Sequence, residues 1–108
     1  MQQNYYPKEQ IEKVYSEPGV YKLFASNKKC LGLVYVGQSL NLRKRLMEHS
    51  RTVYMGFDYF DFDFYPMEKL DEIERKELDE FKKKNACWPK YNNQAGNRLR
   101  SKSKQKFF

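Results

Sequence analysis

Cysteine and histidine are scarce in this chain, which has two cysteines and one histidine among 108 residues. Cys30 and Cys87 lie far apart in no spacing typical of a metal site, so a structural zinc centre is not expected. Long apolar runs are also absent. No stretch approaches the roughly 18 residues of a membrane span, and the first residues lack the apolar segment of a signal peptide. These absences predict a cytoplasmic protein with reduced thiols and no membrane partner.

Negative charge is also in short supply, because 14 acidic residues face 21 lysines and arginines and leave a net charge of +7. An excess of this sign favours a polyanionic partner, most simply nucleic acid, although an ordinary basic protein can have the same charge. The length predicts a single domain with a real core and little room for a second module.

Two apolar stretches in the first half predict a hairpin. Residues 20–25 and 31–36 are both strand-like, and the polar residues between them suit a turn. Residues 7–15, before the hairpin, are typical of a short helix. Residues 41–51, after it, predict a second helix that Asn41 can cap.

The second half predicts one more strand and a long helix. Between residues 57 and 65, phenylalanines alternate with two aspartates, which is the period of a strand with a buried aromatic face and a solvated acidic face. Residues 67–85 have the period of an amphipathic helix. Glu74 and Glu77 both fall inside its apolar stripe, where a carboxylate needs a cation, a metal or a hydrogen-bond donor. Helix geometry alone does not distinguish the two.

Several chemically active side chains converge near the end of the hairpin. Tyr35 and Gly37 lie at the end of the second strand, and the glycine marks a place where the backbone passes close to other atoms. On the following helix, Arg45 and His49 are four residues apart and share a face. Tyr21 lies on the partner strand. The sequence therefore predicts a site with two tyrosines, a fixed cation and the only histidine.

These residues, in this order, resemble the GIY-YIG nuclease superfamily over roughly residues 19–92. Gly19-Val20-Tyr21 matches the family's first motif and Tyr35-Val36-Gly37 its second, with valine in place of isoleucine in both. The family's catalytic arginine falls on Arg45, and a histidine found in several branches falls on His49. The pattern is completed by an acid in an apolar helix and a loop, here Glu74 or Glu77 and Pro89-Lys90-Tyr91-Asn92.

The resemblance implies an α+β fold, with a small three-stranded antiparallel sheet flanked by helices. It also implies hydrolysis of DNA phosphodiester bonds with a single divalent metal, Mg²⁺ or Mn²⁺. The apolar residues that flank the acid favour Glu74 as the metal ligand, with Glu77 as the alternative. Gly19, Gly37 and Asn92 are implied as structural residues around the site.

The remaining site residues take their implied roles from the same resemblance. Tyr21 is the general base or the group that positions the water, and Tyr35 orients that water. Arg45 carries a permanent, forked charge that suits phosphate oxygens. His49 binds phosphate or takes part in proton transfer.

Three segments are predicted: an N-terminal helical segment at 1–18, a nuclease domain at 19–96, and a basic, mobile tail at 97–108. The predicted DNA-binding residues lie on the second helix and in the tail, and they are Arg43, Lys44, Arg98, Arg100, Lys102, Lys104 and Lys106. Target specificity would come from a second protein, from DNA structure or not at all. Two other functions stay open: a catalytically inactive nucleic-acid-binding module of this fold, and a small protein-interaction domain.

Overall fold

The computed structural model describes residues 4–26, 31–52 and 56–92. These residues form an antiparallel sheet with helices on both faces, which confirms the α+β class. The strands are β1 (Tyr6–Pro7), β2 (Gly19–Ser26), β3 (Leu31–Ser39) and β4 (Tyr59–Phe64). Their order across the sheet is β1-β4-β2-β3, and the predicted hairpin is the β2–β3 pair.

The sheet has four strands rather than the three expected. The extra strand, β1, pairs with the outer edge of β4, where Tyr6 lies opposite Phe60 and Pro7 opposite Tyr59. A two-residue strand ending in proline has no alternating pattern to detect, and proline is tolerated because it lies on a sheet edge. β3 also continues to Ser39, two residues beyond the expected end at Gly37.

The helices are α1 (Leu42–Ser50) and α2 (Leu70–Asn85). Asn41 caps α1 as predicted, because its side-chain oxygen accepts a hydrogen bond from the backbone N–H of Lys44 at 3.0 Å. The helix expected over residues 7–15 is instead a 3₁₀ helix, Lys8–Lys13, after which the backbone becomes extended at Val14. A second 3₁₀ turn, Met67–Lys69, leads into α2.

Apolar residues fill both sides of the sheet. On one side, the 3₁₀ helix and α1 pack against β2 and β4, and the core there consists of Ile11, Val14, Tyr21, Leu23, Leu42, Leu46, Phe57 and Phe60. On the other side, Leu70, Ile73 and Leu78 of α2 pack over Val20 and Val36. Successive β2 residues therefore point into different cores, which is the period of an extended strand.

The acidic side of β4 was expected to be solvated, but only Asp63 is exposed, and Asp61 is buried. Asp61 is only 8% exposed, and its carboxylate accepts hydrogen bonds from the backbone N–H groups of Asn4 at 3.2 Å and Phe62 at 2.9 Å. At the end of the strand, by contrast, Phe64 is 43% exposed. Alternation identified the strand but not how completely each of its faces is covered.

The described part of the N-terminal segment joins the same core, because Ile11 and Val14 are both buried beside α1. The predicted boundary at residue 96 and the tail cations Arg98, Arg100, Lys102, Lys104 and Lys106 lie outside the described residues. Within the described residues, neither helix has the length and apolar character needed to cross a membrane.

Candidate active site

The two motif tyrosines meet over Gly37. Tyr21 on β2 lies directly opposite Gly37 on β3, and Tyr35 lies opposite Leu23. A β-carbon at Gly37 would lie 2.6 Å from the hydroxyl oxygen of Tyr21 and 2.7 Å from the ring of Tyr35. The close approach predicted at Gly37 is therefore a contact with the two tyrosine side chains. Glycine at this position allows the rings to sit against the strand, with centroids 6.0 Å apart.

Gly19 is needed for a different reason, because it leaves room for helix α1. A β-carbon there would collide with the backbone oxygen of Asp63 and come within 2.5 Å of the side chain of Leu42. The backbone N–H of Leu42 donates to the oxygen of Glu17 at 3.0 Å, so the first turn of α1 is tied to the chain just before β2. This packing fixes the helix that carries Arg45 and His49.

His49 lies against both tyrosines. Its Nε2 lies 2.7 Å from the hydroxyl oxygen of Tyr21, within hydrogen-bonding distance. The ring centroid of His49 is 5.4 Å from the centroids of both Tyr21 and Tyr35. The three rings form a compact cluster contributed by β2, β3 and α1, as the convergence of the motifs predicts.

The surroundings keep both partners of this hydrogen bond uncharged. Burial, followed by the positive charge of Arg45, lowers the pKa of His49 to about 4. Burial and the neighbouring Tyr35 raise the pKa of Tyr21 well above its ordinary value, although Arg45 opposes the rise. Near pH 7 the pair is therefore a phenol and a neutral imidazole, and the phenol donates to Nε2 when the imidazole proton is on Nδ1.

Tyr21 is only 1% exposed, which the sequence did not indicate. Very little of this residue is accessible to solvent, whereas Tyr35 and His49 are only partly buried. Arg45 is the most accessible member of the group, with half of its side chain exposed and one guanidinium nitrogen 3.2 Å from Glu48. The arrangement places a solvent-facing cation above a buried phenol.

The two candidate glutamates have separate surroundings. Glu74 Oε1 accepts a hydrogen bond of 2.6 Å from the side-chain amide of Gln38. Glu77 forms an ion pair of 2.9 Å with Lys22 and lines a cleft of about 340 Å³ together with Asp63. The pKa of Tyr21 depends most on burial, Tyr35 and Arg45, and the charge of Glu74 raises it further. The charge of Glu77 instead acts on Asp63, where, after burial and two larger charge effects, it raises the pKa of the carboxyl. Glu74 is the one associated with the tyrosine cluster.

Asn92 holds the backbone between the motif tyrosine and glycine. Its side-chain oxygen accepts from the N–H of Val36 at 2.8 Å, and its amide nitrogen donates to the oxygen of the same residue at 2.9 Å. The N–H of Tyr91 donates to the oxygen of Val34 at 2.8 Å. The loop after α2 thus covers the free edge of β3. In these hydrogen bonds Asn92 contacts the backbone of β3 and not the side chains of the site.

No family model and no curated protein matches this chain. Solved structures do match. The GIY-YIG N-terminal endonuclease domain of UvrC from Thermotoga maritima, as a tyrosine-to-phenylalanine mutant bound to its catalytic divalent cation, gives a TM-score of 0.61 at 22% identity over 79% of this chain and 92% of that chain. An asparagine-to-alanine mutant of that domain, also bound to its cation, gives 0.59 at 22% identity over 78% and 91%. The chain has the GIY-YIG fold.

The match confirms the resemblance stated from the motifs, and an identity of this size establishes the GIY-YIG fold alone. Among the described residues, no group of three or more His, Cys, Asp or Glu side chains is arranged to hold a metal ion. Mg²⁺ does not need such a group, since it keeps most of its water and is often bound through one or two carboxylates. Glu74 is a carboxylate of that kind.

Two residues beside Glu74, Gln38 and Asp71, were not identified from the sequence. Gln38 directly follows the Tyr35-Val36-Gly37 motif, and its amide nitrogen contacts both Glu74 and Asp71. The only available signal was that Gln38 is adjacent to Gly37, because the contacts join residues more than thirty positions apart in the chain.

The predicted DNA-binding cations that are described lie on the outer side of α1. Arg43 and Lys44 are both exposed and, with Arg51, line a shallow groove of about 300 Å³ beside the segment at Ser16. Glu48, the partner of Arg45, lines the same groove. The basic groove and Arg45 therefore share one neighbouring side chain, Glu48, although the groove and the tyrosine cluster lie on different faces of α1.

Proposed function

We propose that this chain is a divalent-metal-dependent endonuclease that hydrolyses DNA phosphodiester bonds. The observation that carries the proposal is the 2.7 Å contact between Tyr21 and His49 beneath Arg45, on a fold shared with a metal-bound endonuclease domain. DNA as the substrate is supported by the net charge of +7 and by the basic groove on α1.

Arg45 binds the scissile phosphate. Its guanidinium is always charged, and its fork can offer two parallel N–H groups to phosphate oxygens. Half of the side chain is exposed, and Glu48 at 3.2 Å is its ion-pair partner on the same helix. A phosphate that contacts Arg45 lies directly above the tyrosine cluster, so negative charge that develops during attack is stabilised there.

Tyr21 and His49 take the proton of the attacking water. As the water oxygen forms its bond to phosphorus, its proton passes to the oxygen of Tyr21, and the phenol proton passes to Nε2 of His49. The low pKa of His49, due first to burial and then to Arg45, keeps Nε2 unprotonated at neutral pH, so that it can accept the hydrogen bond from the phenol before the proton is transferred. Tyr35, partly exposed beside both rings, orients the water.

Glu74 holds the divalent cation, Mg²⁺ or Mn²⁺. Such a cation would neutralise charge on the phosphate and on the leaving oxygen of the ester P–O bond that breaks. Glu74 suits this role because its charge acts on the pKa of Tyr21, after burial, Tyr35 and Arg45, and because the strand residue that donates to it, Gln38, is neutral. Glu77 is already neutralised by Lys22. Asn92 keeps Tyr35 and Gly37 in position through Val36.

Nicking of supercoiled plasmid with Mg²⁺ or Mn²⁺ tests the proposal on three proteins: wild type, Glu74→Gln and Glu77→Gln. Wild type should nick, and Glu74→Gln should lose at least about 10²-fold, the scale of losing one charge-stabilising group at a reaction centre, while still binding DNA. Glu77→Gln should retain most of its activity, since it loses only the ion pair with Lys22.

The control pair makes the outcome decisive, because both substitutions remove one negative charge from the same helix. If Glu77→Gln is inactive and Glu74→Gln nicks normally, the ligand is Glu77. If folded wild type binds DNA but does not nick with either metal, the chain is a binding module and the proposed reaction is wrong.

A further inference from the structure

A single amide nitrogen links β3 to two carboxylates of α2. Nε2 of Gln38 lies 2.7 Å from Oδ1 of Asp71 and 2.6 Å from Oε1 of Glu74. The two acids are three residues apart, so they lie on neighbouring positions of one helix face. An amide nitrogen carries two hydrogens, and this geometry directs one of them at each carboxylate.

The link restrains a side chain that would otherwise have considerable freedom. Glutamate has three rotatable side-chain bonds, and Glu74 is only partly buried. The hydrogen bond to Oε1 limits the orientation of the carboxylate plane and thus the direction in which Oε2 points. Gln38 is itself held from the other side by Asp71, which lies in the first turn of α2.

The type of donor matters as much as its position. The sheet offers Glu77 a lysine, Lys22, whose charge neutralises the carboxylate. It offers Glu74 a neutral amide, which orients the carboxylate without adding a positive charge. A charged donor at position 38 would instead compete with any cation for Glu74. The strand residues that face the two glutamates of the apolar stripe therefore differ in charge.

We propose that Gln38, anchored by Asp71, is the positioning residue that holds Glu74 ready for a hard divalent cation. The inference rests on the proposed function, in which Glu74 is the metal ligand. Hydrogen-bond partners of metal ligands commonly change metal affinity or activity by about 10- to 100-fold when they are removed. Gln38 and Asp71 are expected to act in this way, through Glu74 and without contact with DNA.

Manganese affinity of the full chain, measured by paramagnetic resonance and calorimetry without DNA, tests the proposal. Gln38→Leu removes the donor and should weaken Mn²⁺ binding by about 10-fold or more. Asp71→Ala removes the anchor at an exposed position and should weaken it in the same direction. Asp71→Asn keeps an oxygen that can accept from Gln38 and should restore most of the affinity.

The matched control is Glu72→Gln, which removes the same charge as Asp71→Asn from an exposed neighbour on the same turn. It should bind Mn²⁺ as wild type does. Unfolding of each metal-free variant by denaturant provides the second readout. A purely structural role for Gln38 would lower the free energy of unfolding and leave the Mn²⁺ affinity of the folded protein unchanged.

The possible failures are distinguishable. If Glu74→Gln loses Mn²⁺ while Gln38→Leu and Asp71→Ala bind it as wild type does, the positioning role is wrong and the proposed function stands. If Asp71→Asn loses as much affinity as Asp71→Ala, Asp71 acts through its charge and is not an anchor. If wild type and Glu74→Gln bind Mn²⁺ equally, the metal assignment itself is wrong.

Discussion

Tyr21 and His49 are titratable groups joined by one hydrogen bond, and their surroundings keep both neutral. Burial acts on each of them, but in opposite directions on the pKa: it raises that of the phenol and lowers that of the imidazole. The positive charge of Arg45 lowers both. One arginine thus makes the phenol easier to deprotonate and keeps the imidazole unprotonated near neutral pH, while lowering the affinity of the imidazole for a proton.

A titration of His49 followed by proton NMR tests this account. The chain has one histidine, so its ring signals are unambiguous. The midpoint in wild type should lie near 4. Arg45→Ala should raise the pKa because a repelling charge is removed, and Glu48→Gln should lower it further because an attracting charge is removed. A midpoint near 6.5 in wild type would contradict the burial of a neutral imidazole.

The same shift has a consequence for stability. The folded state binds the His49 proton less readily than the unfolded state, whose ordinary pKa is near 6.5. The contribution of His49 to stability is therefore complete above pH 6.5 and is lost as the pH falls toward 4.

The individual site residues differed in how far the sequence could identify them. Tyr21, Tyr35, Arg45 and His49 were named because short motifs in a fixed order carry them, and the structure brings them together. The choice between Glu74 and Glu77 stayed open because both lie on one helical stripe. What separates them is the strand residue each meets, and such long-range pairings have no local signal.

At the level of elements, the loop after α2 completes the sheet. β3 lies at the sheet edge, and an edge strand presents unpaired backbone groups. Asn92 and Tyr91 satisfy three of these groups on Val34 and Val36. The strand that carries Tyr35 and Gly37 is in this way held from both sides, by β2 and by the loop.

Asn92→Ala should destabilise the fold by about 1–3 kcal/mol, because it removes the partner of two partly buried backbone groups. Chemical denaturation measures the change. The control is Asn85→Ala, whose side-chain amide donates only to an exposed carbonyl at the end of α2 and should cost within about 0.5 kcal/mol. Equal effects of the two substitutions would show that the loop does not support β3.

The helices and strands were predicted well where one sequence pattern determines the conformation. They were predicted less well where several tertiary interactions determine it. The hairpin, α1 and α2 follow from apolar periodicity and a cap. Residues 7–15 have a helical pattern, yet only Lys8–Lys13 are helical, as a 3₁₀ turn. β1 just before that turn pairs with β4, so the segment is held by tertiary contacts rather than by its own propensity.

At the scale of the molecule, α1 carries both the exposed cations and part of the candidate site, on different faces of the helix. The helix buries Leu42 and Leu46 in the core, presents His49 to the tyrosines, and exposes Arg43 and Lys44 around the basic groove. If DNA binds in this groove, Arg43 and Lys44 contact its phosphates. The position of the positive charges, and not only their number, should then govern binding.

The salt dependence of DNA binding tests whether the position of the positive charges matters or only their number. Arg43→Ala with Lys44→Ala should reduce the slope of log affinity against log salt by about 1.8, since each lost phosphate contact changes it by about 0.9. The control is Lys83→Ala with Lys84→Ala, which removes the same charge from exposed sites roughly 14 Å along α2 from Glu74. The control should leave the slope nearly unchanged. Equal slopes for the two double variants would contradict a binding face on α1 and assign the affinity to net charge alone.

A deletion of residues 97–108 tests the contribution of the last segment, which carries five lysines and arginines and no acid. The deletion should flatten the same slope by about 0.9 for each phosphate contact that the segment makes. An unchanged slope would show that these cations do not contact DNA.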